Sequence, residues 1–143
     1  MNNCKLVIST SMITSCLLCP STGMADEINL SIDSYCNLRA GKQISAQVLT
    51  KSNGHANIWE VYCSHSLCNL TKVFMAKEQG SETYQYVETV SVFPKEFELN
   101  VTANEAHVFL KPGYIFILKN EGTVTISKPK TGEIFQGSCR IVN

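Results

Sequence analysis

The feature that most constrains this 143-residue chain is a run of turn signals spaced roughly ten residues apart. They fall at Arg39-Ala40-Gly41-Lys42, Ser52-Asn53-Gly54-His55, Gln79-Gly80-Ser81, Phe93-Pro94-Lys95, Lys111-Pro112-Gly113, Asn120-Glu121-Gly122 and Lys128-Pro129-Lys130-Thr131-Gly132. Between them lie short segments rich in Val, Ile, Phe, Tyr and Thr. Short strands at regular spacing, separated by Gly, Pro and Asn turns, are the pattern of an all-β sandwich or barrel. The expected fold is a small antiparallel sandwich or barrel of about eight to ten strands, stapled by two disulfides.

Individual segments carry the strand period. In Glu96-Phe97-Glu98-Leu99-Asn100-Val101 and in Thr123-Val124-Thr125-Ile126-Ser127, apolar and polar residues alternate. Period two with one wet face is the antiparallel signature. Tyr114-Ile115-Phe116-Ile117-Leu118 is apolar throughout and reads as a central strand buried on both faces. Ile58–Cys63 is similar and holds Trp59, the one Trp, which reads as core. Leu70 to Lys77 is the one stretch where a helix is plausible, although Val73, Phe74 and Met75 fit a strand as well. The segment Gly137–Val142 is expected as a last strand.

The first 25 residues read as an address. Lys5 is the one charge before Asp26, an apolar stretch runs from Leu6 to Cys19, and Gly23 and Ala25 are small. That matches a secretory signal peptide cut after Ala25, leaving 26–143 as a single exported β-domain, periplasmic or extracellular. The stretch is too short and hydroxyl-rich for a transmembrane segment. Ile13-Thr14-Ser15-Cys16 offers a competing reading, an envelope lipoprotein anchored at Cys16.

Cys4, Cys16 and Cys19 lie in the presumed leader, and four cysteines remain: Cys36, Cys63, Cys68 and Cys139. An even number in an exported domain implies disulfides. Cys63 and Cys68 can close a short local loop, and Cys36 and Cys139 then pair by elimination. The alternative is a metal-handling protein, because Cys63, His65 and Cys68 place three soft ligands within six residues. The spacing is not that of a zinc finger, and an oxidising compartment favours the disulfide. No metal or cofactor is therefore expected.

The chemistry-bearing residues form no catalytic constellation. There is no Gly-x-Ser-x-Gly elbow, no Gly-rich phosphate loop, no His-Glu-x-x-His and no EF-hand loop in the sequence. His55 reads as a turn residue and His107 as an exposed strand residue. Glu96 and Glu98 would stand about 7 Å apart by strand rise, a separation an inverting glycosidase uses. Alternation places both on the solvated face, so catalysis there is not expected, nor is an enzyme. Asn29, Asn69 and Asn100 head N-glycosylation sequons, which matter only in a glycosylating host.

Twelve basic residues balance twelve acidic ones. Neutrality argues against nucleic acid, whose binders are usually basic. The balance is uneven along the chain. Residues 78–105 hold six acids against Lys95, a balance of −5, whereas 106–143 stand at +3. The acidic segment also carries Tyr84, Tyr86 and Phe93 beside Glu88. Aromatics anchor interfaces and charge steers approach, so Tyr84, Tyr86, Glu88 and Phe93 are the expected protein-binding surface. The partner is expected to be another protein, bound without catalysis in the manner of an inhibitor or immunity protein. Tyr35-Cys36 and Phe135-Gln136-Gly137-Ser138-Cys139 are similar in placement to the ends of periplasmic lysozyme-inhibitor barrels. The central Ser-Gly…Tyr motif of that family is absent from this sequence, so the likeness extends only to the termini.

Overall fold

The computed structural model describes residues 27–28, 32–78, 80–111 and 113–143. The leader, Cys4, Cys16, Cys19 and the Asn29 sequon lie outside the described residues. The described chain is all strand and turn: β1 (Glu27–Ile28), β2 (Tyr35–Arg39), β3 (Gln43–Ser52), β4 (His55–Cys63), β5 (Cys68–Lys77), β6 (Tyr84–Val92), β7 (Glu96–Val101), β8 (Ala106–Lys111), β9 (Tyr114–Leu118), β10 (Thr123–Lys128), β11 (Glu133–Ser138) and β12 (Arg140–Val142). All pairings are antiparallel except that of β12 with β2, so eleven antiparallel strands form the sheet and β12 joins in parallel.

The sheet runs β1-β6-β5-β4-β3-β11-β10-β9-β8-β7, with β2 and β12 branching from β3. It curls into a half-barrel. One wing is built around the long hairpins β3–β4 and β4–β5, and the other is the meander β7 to β11. Only one ladder pair, Gly137 with Thr50, joins β11 to β3. Past that pair the two strands splay apart. A second tie joins the β2–β3 turn to the end of β7, where the Gly41 N–H donates to the Val101 carbonyl at 2.7 Å.

Local chemistry accounts for the hairpins. Asn53 and Gly54 both have positive φ, at 45° and 81°, the conformation of a type I′ two-residue hairpin turn. That turn sets the β3–β4 register from Ser52 opposite His55 to Ile44 opposite Cys63. The β4–β5 hairpin ends on Cys63 opposite Cys68, and these two are bonded in a disulfide. The second disulfide, Cys36–Cys139, spans 103 residues and clasps β2 to the junction of β11 and β12. Both pairings are those expected from the spacing.

Alternation puts the core on the concave face. Ile44, Val48, Trp59, Val61 and Leu70 from one wing meet Val108, Phe116, Leu118, Val124 and Ile126 from the other, each at most 2% exposed. At ~25 cal/mol per Å² of apolar surface removed from water, this contact is what holds the curl. Trp59 is fully buried, as its apolar strand suggests. Its indole N–H donates to Thr50 Oγ1 at 2.9 Å, which satisfies both buried polar groups. A satellite cluster of Ala56, Ile58, Met75 and Tyr84 lies on the convex face, packed against Ile32 and Leu49.

The structure refines four readings of the sequence. Leu70 to Lys77 is strand within β5, because β4 and β6 pair with it on both sides. Tyr114–Leu118 is not buried on both faces. Tyr114, Phe116 and Leu118 face the core, while Ile115 and Ile117 are half-buried on a convex face that no second layer covers among the described residues. Gly137–Val142 is two strands, since the chain passes from β11 to β12 at Cys139. The described residues form twelve strands, against the expected eight to ten, and the two extra ones, β1 and β12, span only two and three residues.

Candidate functional site

Two surfaces concentrate exposed or unsatisfied side chains. The first is the seam at the three-residue link between β6 and β7. β6 and β7 stand at or near opposite ends of the strand order, yet Phe93-Pro94-Lys95 joins them directly. Beyond Gln85, β6 pairs only with β5, and β7 pairs only with β8, among the described residues. The seam therefore presents two strand edges, which are natural docking rails for another chain. Phe93 is 68% exposed at its head. A hollow of about 430 Å³ beside it is lined by Val92, Phe93, Pro94, Lys95, Glu96 and Lys111. Glu96 lines it, Glu98 is exposed two residues further along β7, and Glu88 is exposed farther back on β6, so the acidic excess of this segment is presented to solvent.

The structure divides the four residues expected to bind protein. The ladder between β5 and β6 slips at Phe74/Met75, with Glu88 opposite Phe74 and Tyr86 opposite Met75. Val87 is the extra, bulged residue. Because Phe74 and Met75 point to opposite faces, Tyr86 and Glu88 do too. Tyr84 and Tyr86 belong to the convex cluster, where Tyr84 is 9% exposed and stacks under the Lys77 ammonium at 5.5 Å. Glu88 lies on the concave side, and Phe93 projects from the seam. Plain alternation from Tyr84 would have put both tyrosines and Glu88 together. In their place the bulge exposes Val87, 48% accessible, which sequence reasoning missed because nothing in composition marks an extra residue in a strand.

The second surface is a cleft in the splay between β3 and β11. Cross-strand register explains it row by row. Ala46, Val61, Leu70 and Val92 align across β3, β4, β5 and β6, and so do Val48, Trp59, Lys72 and Val90. The next row is Thr50, Asn57, Phe74 and Glu88. The concave face thus grades from a closed apolar core to an open polar mouth. The mouth is a cleft of about 890 Å³, walled on the far side by Ile134, Phe135 and Gln136 of β11. His55 stacks on Phe74, ring centroids 5.3 Å apart, and Phe135 packs on Trp59 at 5.0 Å. The Lys72 ammonium lies 5.9 Å from the Trp59 and Phe74 rings. Asn57 is 5% exposed, and its carboxamide oxygen is buried without a hydrogen-bond partner among the described residues.

Other expected sites resolve simply. Cys63 and Cys68 are bonded to each other, so neither sulfur is a thiolate that could join His65 around a metal. His65 is exposed on the hairpin loop. No group of three His, Cys, Asp or Glu side chains among the described residues is placed to hold a metal. Glu96 and Glu98 stand exposed on β7, as alternation requires. His107 is half-buried rather than exposed, because Asn100 of β7 and Ile117 of β9 flank it in the ladder. Asn100 is exposed on the same convex face. No helix among the described residues is long and apolar enough to cross a membrane. No family model, curated protein or solved structure matches this chain.

Proposed function

We propose that this chain is an exported, disulfide-stapled β-domain that binds another protein without catalysis, as an inhibitor or immunity protein does. The observation that carries the reading is the β6–β7 seam. It combines a protruding aromatic anchor, Phe93, with the bulged Val87, two strand edges and the exposed carboxylates of Glu96 and Glu98 on β7, with Glu88 farther along β6. Protein interfaces are built around such a desolvating anchor within a polar rim. The acidic rim selects for a basic partner and speeds its approach, an effect that salt screens. Two disulfides suit a rigid binder in an oxidising compartment outside the cytoplasm.

The test uses the purified protein as bait for the envelope and secreted fractions of its source organism, beside Phe93→Ser and Glu88→Lys baits. A partner retained by the native protein is then purified, and its affinity is measured against salt. The reading expects a basic partner whose binding weakens at least tenfold with either substitution and also with rising salt. A partner bound equally by all three baits, or no partner enriched by the native protein, would contradict it.

A further inference from the structure

The cleft between β3 and β11 shares no lining residue with the hollow at Phe93 and has features of its own that point to a ligand. Asn57 is the decisive one. A buried amide oxygen with no partner costs about 1–3 kcal/mol, and native proteins keep few such groups without a reason. Here the amide stands in the row that opens to solvent, between Thr50 and Phe74. Thr50 is already engaged by the Trp59 indole, so the Asn57 amide oxygen is the unpartnered polar atom at the floor among the described residues. An amide offers both a donor and an acceptor side by side.

The walls define the chemistry of what fits. Phe74 with its stacked His55 on one side, and Phe135 with Ile134 on the other, present apolar and aromatic surface. Ile134 is 64% exposed and Gln136 is exposed beside it. The charged side chains that line the cleft are one of each sign, Lys51, exposed at the rim, and Glu133. Lys72 lies against Trp59 and Phe74, and Glu133 pairs with Lys128 at 3.5 Å. A lining with no net charge gives no general preference for a charged ligand, whereas one with apolar faces and a hydroxyl edge matches both the aromatic walls and the Asn57 amide. The volume, about 890 Å³, falls at the upper end of the ~300–1,000 Å³ typical of small-molecule sites.

We infer that this cleft binds a neutral saccharide, with one sugar ring lying against Phe74 or Phe135 and its hydroxyls bonded to the Asn57 amide. The ring's C–H faces replace water on the aromatic walls. One hydroxyl donates to the Asn57 oxygen and another accepts from the Asn57 amide nitrogen. Gln136 at the rim reaches the next unit of the chain. The site is independent of protein binding at the seam, and either could fail without the other.

The experiment is a titration of the ¹⁵N-labelled protein with cellotriose, maltotriose and chitotriose, and with glucuronic acid as the charged comparison. The proposal expects at least one neutral trisaccharide to give saturable shifts of the Asn57 side-chain amide and of the His55 and Phe74 backbone amides. Gln136→Ala, a change at an exposed position, is expected to weaken that binding about threefold or more while the rest of the spectrum stays native. Asn57→Ala is expected to abolish it. Absence of saturable shifts for every trisaccharide up to about 20 mM, well past the millimolar range of weak sites, would overturn the proposal. So would binding of glucuronic acid alone, or binding unchanged in Gln136→Ala.

Discussion

At the scale of single residues, the joint between the wings depends on an atom that is missing. A Cβ on Gly137 would lie 2.6 Å from the Leu49 carbonyl oxygen and 3.2 Å from side-chain carbons of Thr50 and Val48. Backbone cannot yield as a side chain can, so Gly137→Ala must push β11 away from β3. The expected loss is about 1–3 kcal/mol, the usual cost of overpacking, read as a lowered urea midpoint. The Trp59–Thr50 bond makes a second test. Thr50→Val leaves the buried indole N–H unpaired, and the expected cost is again about 1–3 kcal/mol. In a Trp59→Phe background the same Thr50→Val change should cost much less, because no indole remains to be orphaned. Equal losses in both backgrounds would show that the hydrogen bond contributes little. Neither residue was legible in these roles. Trp59 reads as core from its apolar strand, but its partner is nine residues away, and the contact at Gly137 exists only once β11 lies on β3.

At the scale of strands, the bulge at Val87 decides which face each aromatic occupies. Deleting Val87 restores a regular ladder with Glu88 still opposite Phe74 and Tyr86 still opposite Met75. Both faces are kept, so the deletion should cost no more than about 1 kcal/mol. Deleting Val90 from the regular part of β6 instead forces one side of the ladder onto the wrong face, and that variant should be far less stable or should not fold. Thermal unfolding of the two deletions, side by side, checks the bulge. Alternation made β7 and β10 readable, with Glu96, Glu98 and Asn100 on the wet side of β7 as expected. It failed on β6 because one inserted residue inverts the period. It failed on β9 because an unbroken apolar run does not say whether a second layer covers it.

At the scale of the whole molecule, an all-β chain with two disulfides was legible from turn spacing and cysteine arithmetic. The curl, the seam and the cleft were not, because they depend on which strands end up as neighbours: β3 beside β11, and β6 joined to β7. The staples act on this scale. In the chain-entropy view, closing a loop of about 100 residues is worth ~4.7 kcal/mol and one of about six residues ~2 kcal/mol. Replacing Cys36 and Cys139 together with Ala should therefore destabilise the fold roughly twice as much as replacing Cys63 and Cys68. Denaturant titration of the two double variants measures the difference.

The account rests most heavily on the pairing that clasps the curled sheet, and a peptide map of the unreduced protein by mass spectrometry tests it most directly. Two linked pairs are predicted, Cys36 with Cys139 and Cys63 with Cys68, with all four thiols open to alkylation only after reduction. A Cys36–Cys63 or Cys68–Cys139 linkage, or free thiols at Cys63 and Cys68 before reduction, would contradict it.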